Sequence, residues 1–239
     1  MSRDPEPDPL PERVRAVLAS AARLQAVVPD AVLVGGTAAA YYAQHRESFD
    51  HDHVLTDLAE RYEQILEAVE STEGWVTSVR ASSPPLTLLG SLGGIEAGLR
   101  QLRRTRPLEV AEIAIPDVGS VRVPTLEEML RIKAYLVVVR NQVRDYLDTV
   151  AMAARMGPAG TVEALIGIDA YYTDRSQLPD GVLTALVQRL AEPAPRDERV
   201  TRQLAAYKGL DERWREWPVV VEACHQLADE LLARLEETS

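Results

Sequence analysis

The first part of the chain shows helix-like and strand-like hydrophobic patterns in turn. From residue 11 to residue 28 apolar side chains recur at helical spacing, which predicts an amphipathic helix. The apolar run 31–34 predicts a buried strand, and polar and apolar side chains alternate over 48–54 as in a second strand. We expect a short helix between these strands and another helix over 57–70.

Residues 75–123 are patterned as strands that proline and glycine separate. The expected strands are 75–80, 86–89, 108–115 and 120–123, and together they predict a mixed sheet. Thr125 and Glu128 then form a capping-box pair that begins a helix, which we expect to end at Gly157. Every later pattern is helical, at 161–172, 179–190, 199–209 and 217–235.

These patterns predict three regions. Residues 1–12 are rich in proline and acids and are expected to be a disordered leader. Residues 13–124 should form an α/β (α+β) core with a mixed sheet, and residues 125–239 an all-helical C-terminal domain.

Glycines stand where the first strand meets the short helix. Gly35 and Gly36 allow a tight turn with close backbone approach, and Thr37 is placed to cap the helix. A helix N-terminus after two glycines presents free N–H groups to an anion such as a phosphate. The plainer interpretation is an ordinary strand-to-helix turn.

Two carboxylates follow on the second strand. Alternation puts Asp50 and Asp52 on one face, with Cα atoms about 7 Å apart, and Ser48 shares that face. Paired carboxylates repel unless a cation lies between them, and Mg²⁺ carrying a nucleotide phosphate fits this need. The alternatives are solvated acids on an edge strand, or zinc bound by residues 50–53, which alternation onto opposite faces disfavours.

This ordered set resembles the AbiEii and MenT group of bacterial toxin nucleotidyltransferases, within the superfamily related to DNA polymerase β. The resemblance covers residues 30–155. Its residues are Gly-Gly-Thr-Ala at 35–38, then His45-Arg46-x-Ser48-x-Asp50-x-Asp52, then Arg131-x-Lys133, and finally Arg144-Asp145-x-x-Asp148.

The resemblance implies a core that transfers NMP from an NTP to a hydroxyl of a tRNA acceptor, as the toxin of a toxin–antitoxin pair. It implies Mg²⁺, or Mn²⁺ in its place, at Asp50 and Asp52. The residues it implies are catalytic Asp50, Asp52, Lys133, Asp145 and Asp148, and nucleotide-binding Gly35, Gly36, Thr37, Arg46, Ser48, Lys133 and Arg144. It also nominates Glu109 or Glu112 as a third carboxylate.

An unbroken helix past Arg140 would align Lys133, Arg140 and Arg144 within about 40° of one face, near Asp148. Such a stripe of cations suits phosphates, and a row of solvated charges is the alternative. Asp145 falls off this stripe.

Four arginines stand between Arg100 and Arg106. They predict either a phosphate or RNA contact or a solvated segment. The net charge of −11 argues against a general nucleic-acid coat protein but leaves room for a local basic site.

The single cysteine excludes an internal disulfide, and we expect a cytoplasmic protein without a membrane span, monomeric, with an antitoxin as a partner. Two other functions stay open at this stage. One is transfer of NMP to a small molecule such as an antibiotic, and the other is a catalytically silent binding protein.

Overall fold

The computed structural model describes residues 11–173, 180–207 and 209–237. Most of the predicted leader 1–12 lies outside the described residues. The helices are α1 Glu12–Val27, α2 Gly35–Ala43, α3 Leu58–Glu70, α4 Leu126–Val139, α5 Val143–Met156, α6 Pro158–Ile166, α7 Gly181–Ala191 and α8 Trp217–Glu237. The strands are β1 Val32–Val34, β2 Asp50–Leu55, β3 Trp75–Thr77, β4 Thr87–Leu92, β5 Ile95–Gln101, β6 Val110–Ile115 and β7 Gly119–Pro124.

Five strands form one mixed sheet in the order β1-β2-β5-β4-β3, which confirms the predicted mixed α+β class. The pair β2–β5 is parallel, and the other three pairs are antiparallel. Strand β5 was not predicted, although it lies beside β2 and carries part of the site. Strands β6 and β7 form a separate two-stranded sheet, so the predicted strands 108–115 and 120–123 do not join the main sheet.

Helices cover one face of the main sheet. Along β2 the odd-numbered side chains are buried, and the ring of His51 contacts Ser20 of α1. The core on this face joins α1 and α3 to the sheet, with Leu24, Leu58, Ile65, Leu88 and Leu99 among its members. The other face of β2 is left open for Asp50 and Asp52.

A second core joins the first two helices to the C-terminal helices. It holds Leu18 of α1, Ala38 of α2, Leu130 of α4, Leu147 of α5 and Leu227 of α8. The predicted helical C-terminal region is confirmed in character, although residues Glu198–Ala206 form 3-10 turns and not the expected α-helix. The start of the helix predicted at residue 179 lies outside the described residues.

The helix predicted to run from Thr125 to Gly157 is broken, which corrects the prediction. It ends at Val139, and a new helix begins at Val143. Between them Asn141 has a left-handed φ of 55°, and its side chain donates to the carbonyl of Ala194. The break turns the chain back, so that α4 and α5 pack against each other.

Within the described ranges, no helix is both long enough and apolar enough to cross a bilayer.

Candidate active site

Asp50 and Asp52 project from the open face of β2, as predicted. Asp50 is exposed, and Asp52 is partly exposed. The hydroxyl of Ser48 lies 3.1 Å from Oδ1 of Asp50, which confirms that this serine shares their face. The guanidinium of Arg100, on the neighbouring strand β5, donates to Oδ1 of Asp52 at 3.2 Å. Both carboxylates therefore remain reachable from solvent.

Two glycines leave room for Asp52. Gly98 pairs with it across the β2–β5 ladder, and a Cβ at Gly98 would lie 2.5 Å from Oδ1 of Asp52. Gly35 has a φ of +75°, and a Cβ there would lie 3.5 Å from Oδ2 of the same carboxylate. The carboxylate thus sits in a cradle that any side chain at these two positions would reduce.

The N-terminus of α2 lies against this cradle. A Cβ at Gly36 would lie 2.8 Å from Oγ of Ser48 and 2.9 Å from a terminal nitrogen of Arg46. The first N–H groups of a helix have no partner within the helix and carry the positive end of its dipole. The anion site at Gly35 and Gly36 stays a prediction, and the structure places this helix terminus next to Asp52.

The predicted role of Thr37 is wrong in one respect. Its hydroxyl is fully buried and donates to the backbone carbonyl of Asp50 at 2.5 Å, and it caps no helix. The hydroxyl fixes α2 to the start of β2 and cannot also bind a phosphate.

The donor chemistry at this place fits a hard divalent cation. Asp50 and Asp52 offer carboxylate oxygens, the ligands that Mg²⁺ and Mn²⁺ accept. Among the described residues, no group of three or more His, Cys, Asp and Glu side chains converges as a metal cluster. The two aspartates are therefore the protein ligands that the geometry offers, with water and phosphate oxygens left to fill the remaining positions.

The nominated third carboxylates, Glu109 and Glu112, are both engaged elsewhere. Glu109 pairs with Arg131 and accepts from the hydroxyl of Tyr171, while Glu112 accepts from Ser120 across the β6–β7 hairpin. That nomination is wrong, because Glu109 precedes β6 and Glu112 lies within it, and β6 belongs to the other sheet. Glu96 of β5 instead pairs with Asp50 in register and lies exposed on the open face.

Asp148 is the centre of a buried ion cluster. Its carboxylate is fully buried and accepts from Arg46 through two nitrogens, at 2.8 and 3.1 Å. The ammonium of Lys133 lies 2.8 Å from the same carboxylate, and Nε2 of His45 lies 2.8 Å from it. A carboxylate only accepts, so Nε2 of His45 carries the proton.

The electrostatics follow from burial and from these partners. Burial alone would raise the pKa of Asp148, but the charges of Arg46 and Lys133 and the hydrogen bond from His45 hold it well below its usual range. Burial lowers the pKa of Lys133, opposed by Asp148. Burial likewise lowers the pKa of His45, so His45 is neutral near pH 7. One carboxylate thus faces two cations.

Asp145 is buried as well and pairs with Arg140, whose Nε lies 2.8 Å from its Oδ2. Asp145 also accepts from the backbone of Gln142 and so caps α5. Asp145 and Asp148 contact other protein groups and not the open face, so the structure does not place these two predicted catalytic acids beside Asp50 and Asp52.

The cation stripe on a single helix is wrong, because the break at Asn141 separates its members. Lys133 reaches Asp148 across the α4–α5 pair, and Arg144 is exposed and donates to Gln142. Arg140 lies within electrostatic reach of Asp52 and Asp148. The sequence pattern put Arg140 on the stripe but not in the predicted nucleotide site. In the structure α4 ends at Val139, and Arg140 lies near the carboxylates of Asp52 and Asp148.

The arginines from Arg100 to Arg106 do not form one patch. Arg100 contacts Asp52, whereas Arg104 is buried and pairs with Glu128. The guanidinium of Arg106 lies 3.7 Å from the ring centroid of Tyr171. A single RNA contact surface over this segment is therefore wrong for Arg104, which links β5 to α4.

Two open clefts meet at Asp50 and Glu96. The first, here called the sheet cleft, has a volume of about 460 Å³, and the second, here called the aromatic cleft, about 560 Å³. The sheet cleft is lined by Asp50, Asp52, Val76, Leu89, Glu96 and Arg100 among others. The aromatic cleft is lined by Arg13, Arg46, Glu47, Ser48, Phe49, Asp50, Gly94, Glu96 and Tyr207. Both volumes are in the range of small-molecule sites.

Sequence comparison places only part of the chain beside known proteins. No family model matches it. The heme uptake protein MmpL11 of Mycobacterium tuberculosis is 37% identical over 95 residues, which are 40% of this chain and 10% of that protein. The mycolic acid-containing lipids exporter MmpL11 of Mycolicibacterium smegmatis is 32% identical over 136 residues, 57% of this chain and 13% of that protein. The chain thus spans about a tenth of the length of these relatives.

Structural comparison covers nearly the whole chain. An antigenic nucleotidyltransferase-like protein from Paracoccidioides brasiliensis superposes with a TM-score of 0.51 and 16% identity, over 84% of this chain and 95% of that one. The Helicobacter pylori protein JHP933 gives a TM-score of 0.48 and 15% identity over 96% of each chain. The superposition on the Paracoccidioides brasiliensis protein shows that the chain has a nucleotidyltransferase-like fold.

Proposed function

We propose that this protein is a nucleotidyltransferase that moves an NMP group from an NTP to a hydroxyl acceptor with Mg²⁺. One observation carries the proposal. Asp50 and Asp52 stand exposed on one face of β2, with Asp52 cradled by Gly35 and Gly98, directly beside the N-terminus of α2. A carboxylate pair next to an anion-binding helix terminus suits a metal-bound triphosphate.

The residues of the chain divide the work of binding. The free N–H groups at Gly35 and Gly36 hold phosphate oxygens, while the hydroxyl of Ser48 donates to Asp50 and so orients that carboxylate. Asp50 and Asp52 would hold the metal, which would take the place of Arg100 as the partner of the Asp52 carboxylate. When bound, Mg²⁺ supplies positive charge that neutralises the charge developing on the leaving pyrophosphate.

The buried cluster supports this site from behind. Asp148 holds Arg46 by two hydrogen bonds, and Gly36 allows the guanidinium of Arg46 to lie next to the helix terminus. Because Asp148 carries one charge against the two of Arg46 and Lys133, the cluster keeps an excess of positive charge that favours an anion at α2.

We propose a tRNA as the acceptor and a toxin–antitoxin pair as the setting, on the sequence resemblance to the AbiEii and MenT group. Arg100 is the arginine that lies at the sheet cleft, and its guanidinium is half exposed. RNA contact is therefore expected to be local, because a chain of charge −11 repels a polyanion at long range.

The experiment is an incubation of the protein with each of the four α-labelled NTPs, Mg²⁺ and an acceptor, either total RNA or an aminoglycoside. We expect label on an RNA of tRNA size with one NTP preferred, and none when EDTA is added. Label on the aminoglycoside alone would show that the acceptor is a small molecule and not a tRNA. The absence of label on any acceptor would contradict the proposed function.

A further inference from the structure

One wall of the aromatic cleft is formed by an exposed phenylalanine ring. Phe49 is the single phenylalanine of the chain, stands directly before Asp50, and exposes 38% of its surface. The guanidinium of Arg13 lies 4.4 Å from the centroid of its ring. A large ring exposed beside a carboxylate pair offers an apolar surface for a planar ligand.

Tyr207 enters the same cleft from the C-terminal half of the chain. The segment around it is attached to the residues that precede β2. The backbone N–H of Asp211 donates to the carbonyl of His45 at 2.9 Å, and Gly209 has a φ of +63° and packs so closely on Glu47 that a Cβ would clash. These contacts hold the ring of Tyr207 near Arg46, within electrostatic reach of its charge.

The charges of the cleft indicate which part of a nucleotide it suits. Glu47, Asp50 and Glu96 line it together with Arg13 and Arg46, so carboxylates outnumber cations. Phosphates are therefore better placed at the N-terminus of α2. Carboxylates accept hydrogen bonds from ribose hydroxyls, and aromatic rings stack on bases of any sequence.

We propose that the aromatic cleft binds the nucleoside part of the NTP, with the base against Phe49 and Tyr207 and the ribose hydroxyls near Glu47 or Glu96. The acceptor then approaches Asp50 from the opposite side, through the sheet cleft. This inference rests on the proposed function, since it names the part of the same site that holds the substrate's base.

The test is calorimetric titration of the full chain, in Mg²⁺, with each NTP and with inorganic tripolyphosphate, which lacks the nucleoside. The variants are Phe49→Ala and Tyr207→Ala, and Phe49→Tyr and Tyr207→Phe keep a ring at each position. Leu232→Ala is the matched control, because Leu232 is 43% exposed on α8, and neither cleft includes it.

We expect each alanine variant to weaken the preferred NTP by about tenfold to a hundredfold, in line with base stacking on one ring. Affinity for tripolyphosphate should stay at the wild-type value in every variant. The ring-preserving variants should retain NTP affinity to within about twofold, as stacking tolerates ring type. Leu232→Ala should change neither ligand.

Three results would overturn the inference while labelled NMP transfer by the wild type continues. The alanine variants could bind NTP as well as the wild type does. They could lose NTP and tripolyphosphate equally, which would put the rings in the phosphate site. They could keep NTP affinity and raise the KM for RNA, which would give the cleft to the acceptor. A wild type without Mg²⁺-dependent transfer would instead remove the proposed function itself.

Discussion

At the scale of single residues, the site depends on a glycine beside Asp52, because its missing side chain leaves room for the carboxylate. The alternation of β2 gives both aspartates their direction, but the room for the carboxylate comes from Gly98 on a neighbouring strand. The sequence does not show that Gly98 leaves room for Asp52, because the local pattern of hydrophobic and polar residues does not reveal that β5 pairs with β2. The same is true of Glu96, which faces Asp50 only through this register.

Gly98→Ala should abolish or strongly reduce transfer while the protein stays folded. The added Cβ would lie 2.5 Å from Oδ1 of Asp52 and 2.9 Å from Leu89, so the carboxylate must move. Gly167→Ala is the control, because its Cβ would meet nothing within 4 Å. The measurement is Mg²⁺-dependent transfer of labelled NMP together with thermal unfolding, and full transfer by folded Gly98→Ala would refute the cradle.

Asp148→Asn should destabilise the protein by about 3–5 kcal/mol, since it leaves Arg46 and Lys133 buried without their carboxylate. Asp117→Asn is the matched control. Asp117 is 84% exposed, and its pair with Arg15 is worth about 0–1 kcal/mol. Urea unfolding measures both variants. A loss in Asp148→Asn no larger than in Asp117→Asn would mean that the cluster is solvated.

At the scale of elements, sequence patterns predicted the strand–turn–helix–strand unit from β1 to β2 and the N-cap at Thr125 well, but the capping box is incomplete because the carboxylate of Glu128 pairs with Arg104 and Arg131. Those features are local, as glycine turns, caps and alternation are set by neighbouring residues. The sequence patterns did not predict the break at Asn141. The side chain of Asn141 donates to the carbonyl of Ala194 and accepts from the hydroxyl of Tyr146, and these hydrogen bonds stabilise the break. A side chain that bonds tertiary partners overrides helical propensity, and no hydrophobic pattern records it.

Asn141→Ala should destabilise the α4–α5 connection by about 2–4 kcal/mol. The change removes the acceptor of the buried Tyr146 hydroxyl, and alanine is strained at a left-handed φ. Asn141→Gly loses the same hydrogen bonds without the strain, so it should be the more stable variant by about 1 kcal/mol. Equal stabilities of the two variants, from denaturant unfolding, would show that the backbone conformation at residue 141 is not what matters.

At the scale of the whole molecule, one core joins the N-terminal helices to the C-terminal helices, and Tyr207 from the C-terminal half lines a cleft together with Asp50. His45 shows this coupling, because it precedes β2 in sequence, bonds Asp148 of α5 and accepts from Asp211 through its carbonyl. The resemblance assigned Asp148 and Lys133 to the nucleotide site from sequence motifs alone. Their burial in a shared ion cluster needed the three-dimensional structure.

The stability of the protein should fall as the pH falls below about 6.5, the usual pKa of histidine. Burial lowers the pKa of His45, so the folded state binds fewer protons than the unfolded state in that range. The stability that neutral His45 contributes is therefore present above the unfolded pKa and is lost as the pH falls toward the folded pKa. Burial lowers the pKa of His51 to about 4, which acts in the same direction.

Urea unfolding in EDTA at several values between pH 7.5 and pH 5 measures this slope. His45→Gln keeps a donor for Asp148 but cannot titrate, so it should flatten the slope by up to about 1.4 kcal/mol per pH unit. His225→Gln, at an exposed position on α8, is the control for the His-to-Gln substitution itself. A wild-type slope identical to that of His45→Gln would contradict this account.

If Asp50 and Asp52 bind a metal-bound NTP for nucleotidyl transfer, replacing either aspartate should abolish transfer of the α-phosphate to the acceptor. The preferred NTP is supplied with its label on either the α- or the γ-phosphate, with Mg²⁺ and RNA, to the wild type, Asp50→Ala and Asp52→Ala. The account predicts that the wild type moves the α-label to the acceptor and releases the γ-label as pyrophosphate. Both variants should fold with unchanged or slightly raised stability without Mg²⁺ and transfer neither label. Wild-type rates of α-label transfer in either folded variant would contradict it.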